Sequence, residues 1–116
     1  MANYCDNRVT ITGRSEDIAL FKEKCMPNGE WKFNNIIPEP VDLGDADLSD
    51  WRYANWGVNR EVYGVDFLED TDECISMFFD TAWGPPEGIC EHIRDNFKVH
   101  VSWFYDEPGM EIAGYL

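Results

Sequence analysis

The sequence predicts an α+β fold in which one antiparallel sheet carries two helices on one face. Three observations lead there. The stretches NRVTITG and KVHVSWFY alternate apolar and polar residues with the period of two that marks a half-buried strand. Residues Ser15–Cys25 and Pro86–Phe97 instead repeat apolar side chains three and four positions apart, the spacing of one helical face. Between them, VDFLEDTDECISMFFDTAW holds two strand-like runs around a polar break, the pattern of a hairpin.

In the first strand Val9 and Ile11 point one way and Arg8, Thr10 and Thr12 the other, and Gly13 ends it. Ser15 is expected to cap the following helix, with Glu16 and Asp17 suited to the positive end of its dipole. Ile18, Phe21 and Cys25 form its apolar stripe, and Pro27-Asn28-Gly29 closes it. From Glu30 to Gly57 the pattern is irregular. FNNIIPEP reads as an extended segment stopped by prolines, and DADLSDWRYANWG as a short helical turn closed by Gly57, with Asp47 or Ser49 as its cap. Two strands are expected at about Glu61–Leu68 and Glu73–Thr81. GPPEGICEHIRDNF starts the second helix, with Pro86 near its first position and Ile89, Ile93 and Phe97 on the buried side. KVHVSWFY is the next strand, and GMEIAGY pairs with it as a short last one through a turn at Glu107-Pro108-Gly109.

The order is therefore β, α, an insert, β, β, α, β and an added β. Two β-α-β halves joined through a hairpin make the split βαβ, or ferredoxin-like, arrangement. Residues 1–116 form a single domain, with an irregular acidic, Trp-containing insert at about residues 30–60. Ile11, Ile18, Phe21, Phe79, Ile89, Ile93 and Val101 are expected in the core. Trp51, Tyr53 and Trp56 should sit at its edge, held by the turn at Gly57. Trp83 and Trp103 should pack on the sheet, while His92 and His100 fall off the apolar faces.

Acidic side chains outnumber basic ones 23 to 9, for a net charge of −14. Such a chain is repelled by nucleic acid, with its negative charge every ~1.7 Å, and by anionic membrane surfaces. Direct binding to either is not expected; basic partners are favoured. The charge is also uneven. Residues 1–32 hold five basic and five acidic side chains, and the remainder four and eighteen. Asp66, Glu69, Asp70, Asp72 and Glu73 put five carboxylates into eight residues with no Lys or Arg, and Asp42, Asp45, Asp47 and Asp50 form a second run.

The second run does not read as a calcium loop. With Asp45 as first ligand, the glycine needed at the sixth position is Asp50 and the glutamate at the twelfth is Trp56. Cys5, Cys25, Cys74 and Cys90 lack C-x-x-C spacing and lie in apolar patterns, as small buried residues do. No nucleophile elbow, Walker loop or dinucleotide fingerprint occurs. No cofactor, metal or catalytic residue is assigned. MANYCDNRV lacks a charged start followed by an apolar run, and no segment approaches ~18 consecutive apolar residues, so a cytoplasmic location is expected.

Four phrases, NYCDNRVTITG (Asn3–Gly13), NWGVNRE (Asn55–Glu61), FDTAWGPP (Phe79–Pro86) and YDEPGMEIAG (Tyr105–Gly114), resemble one family in sequence and in order. It is the Api-ninety-two-like, ferredoxin-like domain family of phage- and plasmid-borne proteins, a domain of unknown function. The resemblance spans essentially the whole chain and implies the fold and a mobile-element setting, but no reaction. One departure is that the family continues after NWG with Thr-Lys-Trp, where this chain has Val58-Asn59-Arg60.

A ferredoxin-like sheet raises RNA recognition, which requires stacked aromatics in a basic surround. Here the surround is acidic. The expectation is a non-enzymatic acidic binding protein of a phage or mobile element. It would inhibit a basic host partner, a nucleic-acid-binding defence complex of CRISPR-like or restriction type, by nucleic-acid mimicry. The carboxylates at residues 42, 45, 47, 50, 66, 69, 70, 72 and 73 would be its partner-binding groups. The alternative is an acidic structural or interaction module of the element, open to homodimer formation, with no inhibitory role.

Overall fold

The computed structural model describes residues 4–116; Met1, Ala2 and Asn3, where the first family phrase begins, lie outside them. Strands β1 (Tyr4–Thr12), β2 (Tyr63–Asp70), β3 (Cys74–Ala82), β4 (His100–Glu107) and β5 (Ile112–Tyr115) form one sheet in the order β2-β3-β1-β4-β5. Every adjacent pair is antiparallel. The first four strands have the ferredoxin-like order, and β5 extends the sheet beyond β4.

Burial alternates along β1. Cys5, Asn7, Val9 and Ile11 are buried, whereas Tyr4, Asp6 and Arg8 are exposed. The buried side receives helices α1 (Ser15–Cys25) and α4 (Glu87–Asn96), so Ile18, Phe21, Ile89 and Ile93 share one core with Val9, Ile11, Phe79, Val101 and Trp103. All seven core residues expected from the sequence are buried. Phe97, just past α4, is half-buried and meets Phe21 edge-on at 5.5 Å. Asn7 is the polar centre of this core. Its Nδ2 donates to Thr81 Oγ1 at 2.9 Å and its Oδ1 accepts from Trp103 Nε1 at 3.0 Å, tying β1 to both neighbours.

Several local expectations are corrected. Ser15 is the first residue of α1 rather than its cap; Arg14 occupies the cap in an extended conformation and makes no side-chain capping bond. Its guanidinium instead pairs with Glu16 and Asp17. FNNIIPEP is not wholly extended, because Phe33–Ile36 form a short helix, α2. The Glu61 carboxylate accepts the Phe33 and Asn34 N–H groups at 2.6 and 3.0 Å, capping α2 from 27 and 28 residues away. The expected short turn in DADLSDWRYANWG is an 11-residue helix, α3 (Asp45–Asn55), capped by Gly44 and not by Asp47 or Ser49.

The aromatic insert divides. Trp56 is fully buried and donates from Nε1 to the Ile37 carbonyl at 2.9 Å, and half-buried Trp51 meets it edge-on at 5.9 Å. Tyr53 is 49% exposed, since two residues carry it about 200° round the helix from Trp51. Trp103 packs in the core as expected, but Trp83 does not pack on the sheet. It is 48% exposed with φ of 72°, a left-handed conformation that breaks strand alternation as the chain leaves β3. Cys74 is only half-buried, being at the start of β3 where core cover thins.

Helices α3 and α4 meet by backbone contact. Gly57 ends α3 with φ of 90°, and its N–H reaches the Arg52 and Tyr53 carbonyls. A Cβ on Gly88 would lie 2.1 Å from the Asn55 carbonyl oxygen, so only glycine fits there.

Candidate binding surface on the open sheet face

Even-numbered residues of β1 point away from the helices, and strand register decides what stands beside them. Asp6 is directly opposite Asp80 on β3 and Asp106 on β4, a row of three carboxylates across three strands. In the adjoining row Asp66, Phe78, Arg8, Phe104 and Tyr115 follow one another across all five strands. The Arg8 guanidinium lies over the Phe78 ring, 5.2 Å from its centroid. Beyond it, Glu69, Ser76, Thr10 and Ser102 form a further row.

Directly opposed like charges on neighbouring strands destabilise a sheet. The Asp80 carboxyl, standing in such a row, lies above its ordinary value. Burial is the main cause, followed by the hydrogen bond from its protonated form to Asp6 and by repulsion from the Asp6 charge. Next to this row Tyr63 and Tyr4 stack edge-to-face at 5.3 Å. The face thus presents carboxylates interleaved with aromatic rings, the groups that receive guanidinium and ammonium cations.

The structure scatters the carboxylates that the sequence singled out. Asp66 and Glu69 join the open face beside Asp6, Asp80 and Asp106. Asp70, in register with the buried Ile75, turns to the helix side, where Lys22 Nζ contacts it at 2.6 Å. Asp72 and Glu73 are exposed in the β2–β3 turn, which is closed by the Thr71 N–H to Cys74 carbonyl bond of 2.8 Å. Asp45 and Asp47 lie in the first turn of α3, where they also complement its dipole; Asp42 precedes the helix and Asp50 is on it, all four exposed. Among the described residues no hydrogen bond or ion pair links the two runs. Asp6, Asp80 and Asp106 escaped the sequence reading because they are far apart in the chain. Period-two alternation places each on a face, but only register sets them side by side.

Burial pushes the Cys5 thiol up to about 11 and the Cys25 thiol to about 12, leaving both protonated and unreactive at neutral pH. Among the described residues no three His, Cys, Asp or Glu side chains are arranged to hold a metal ion. No helix among them is long and apolar enough to cross a membrane.

Sheet order, the two helices on one face and the uncovered opposite face define a ferredoxin-like α+β domain. A family model described as the ferredoxin-like domain in Api92-like protein matches residues 50–116, more than half of the chain, and the chain belongs to that family. The family has no assigned activity. The crystal structure of protein api92 from Yersinia pseudotuberculosis matches with a TM-score of 0.70, over 99% of this chain and 93% of that chain, at 12% sequence identity. That likeness is one of fold. No curated protein sequence matches the chain.

Proposed function

We propose that this protein is an acidic, non-catalytic binding protein that occupies the nucleic-acid-binding groove of a basic host protein, its carboxylates standing where phosphates would. The observation that carries the reading is the row Asp80–Asp6–Asp106, with Asp66 and the aromatic rings about Arg8 in the adjoining row and Glu69 in the row beyond. Strands lie about 4.8 Å apart and alternate residues about 6.8 Å apart along a strand. A sheet therefore holds carboxylates at spacings of the order found between phosphates, and holds them rigidly. The exposed acids of the β2–β3 turn and of α3 widen the negative field that steers a basic partner inward.

A defence complex that grips DNA or RNA, of CRISPR-like or restriction type, is the partner class this chemistry fits. The test uses such complexes purified with their cognate nucleic acid. The protein should displace the nucleic acid at low salt and lose potency as screening rises, the Debye length being about 8 Å at physiological ionic strength. Changing Asp6, Asp80 and Asp106 to Asn should weaken displacement most, Glu69, Asp72 and Glu73 to Gln or Asn less. Folded variants that compete equally well at every salt concentration would assign the acids to solubility and the chain to the structural-module class.

A further inference from the structure

A cavity lies on the other side of the molecule, among the helices. It is a groove of about 420 Å³ between α1, the segment after α2 and the end of α4. Its apolar wall comes from Leu20, Ile36, Pro38 and Phe97, with Leu20 left 47% exposed along it. Its polar rim comes chiefly from Lys24, His92 and Asn96. Asn96 is held in place, since its Nδ2 donates to the His92 carbonyl at 2.8 Å and approaches the His92 ring nitrogen Nδ1 at 3.4 Å.

The charge on this wall is the unexpected part. In a chain with 23 acidic side chains and 9 basic ones, the groove is lined by a lysine and a histidine and by no carboxylate. Two lysines in the last turn of α1 show how this arises. Lys22 is drawn to Asp70 on β2, whereas Lys24 makes no ion pair among the described residues and stays on the groove rim. The volume falls within the roughly 300–1,000 Å³ of small-molecule sites, and an apolar trough with a few convergent polar groups is their usual composition.

From this geometry we infer that the groove between α1, α2 and α4 binds a small amphiphilic carboxylate, its hydrocarbon part on Leu20, Ile36 and Phe97 and its carboxylate at Lys24 and His92. A phosphate or another multivalent anion without an apolar tail gains nothing from the trough. A neutral hydrocarbon leaves Lys24 without a partner. The chain's net charge of −14 disfavours a multivalent anion more than a single carboxylate.

Octanoate and octanamide, which share a tail and differ in head-group charge, test this with the intact protein. Amide resonances of the groove residues should shift saturably with octanoate at millimolar concentration. Octanamide should bind about two- to fivefold more weakly at low salt, the range of a solvent-exposed ion pair. Lys24→Met should reduce that difference. Leu20→Trp, at an exposed position that leaves folding intact, should fill the trough and weaken both probes. No saturable shift with octanoate would overturn the site, and equal binding of the two probes would overturn carboxylate recognition.

Discussion

Trp56 shows how one side chain can couple the insert to the sheet. Its ring is fully buried against Phe33 at 5.7 Å, its Nε1 is bonded to Ile37, and the Arg52 guanidinium lies 5.4 Å from its centroid. Arg52 is itself held by Glu39 at 2.7 Å. Trp56→Ala removes the ring and frees the Ile37 carbonyl at once, and the expected loss is about 3–5 kcal/mol in urea unfolding. Unchanged stability would show that the insert folds without this anchor. Asp80 acts in the opposite sense, because its folded-state carboxyl binds a proton more tightly than an unfolded one. The stability contributed by protonated Asp80 is complete below the ordinary carboxyl value near 3.8 and is lost as pH rises through its raised folded value. Asp80→Asn should therefore melt higher than the native protein at pH 7, and the gap should close toward pH 3–4. A constant gap across that range would mean that the Asp80 carboxyl is not raised in the folded protein.

Among elements, α3 and α4 cross in close backbone contact. The Gly88 N–H donates to the Trp56 carbonyl at 3.0 Å, which requires the two backbones to touch. Gly88→Ala places a methyl group against the Asn55 carbonyl, where backbone and not a flexible side chain must give way. A destabilisation of about 1–3 kcal/mol is expected from such overpacking, read as a lower urea midpoint. Gly13→Ala is the control, since a Cβ there meets only ordinary contacts, the nearest at 3.5 Å. A Gly88→Ala variant as stable as the control would mean that α3 can slide on α4 at little cost.

At the scale of the whole molecule, a net charge of −14 on a chain whose Cα radius of gyration is 14.0 Å opposes folding through self-repulsion. Salt should then stabilise the protein, with Tm rising as sodium chloride goes from about 10 mM to 150 mM and the Debye length falls from about 30 Å to 8 Å. The triple change of Asp6, Asp80 and Asp106 to Asn should flatten that rise while leaving far-UV circular dichroism unchanged. A Tm independent of salt would mean that the carboxylates sit too far apart to repel. The same screening that steadies the fold weakens the proposed partner contact, so stability and binding should respond to salt with opposite signs.

The regular elements were legible because periodicity is a local property. Val9 and Ile11 against Arg8 and Thr10, or Ile89 and Ile93 one turn apart, declare which side is buried whatever the rest of the chain does. The sequence by itself therefore determined the strands, helices α1 and α4, the ferredoxin-like order and seven residues of the core, while the buried Trp31, Phe33, Ile36 and Val58 of the insert were not among them. Tertiary structure decided what depends on residues distant in sequence. Helix α2 lacks a cap of its own and receives one from Glu61. Trp83 leaves the sheet because its backbone enters the left-handed region at the turn toward α4. The carboxylate row exists because antiparallel register lays residues 6, 80 and 106 at one level, and a slip of one residue would have turned them to opposite faces.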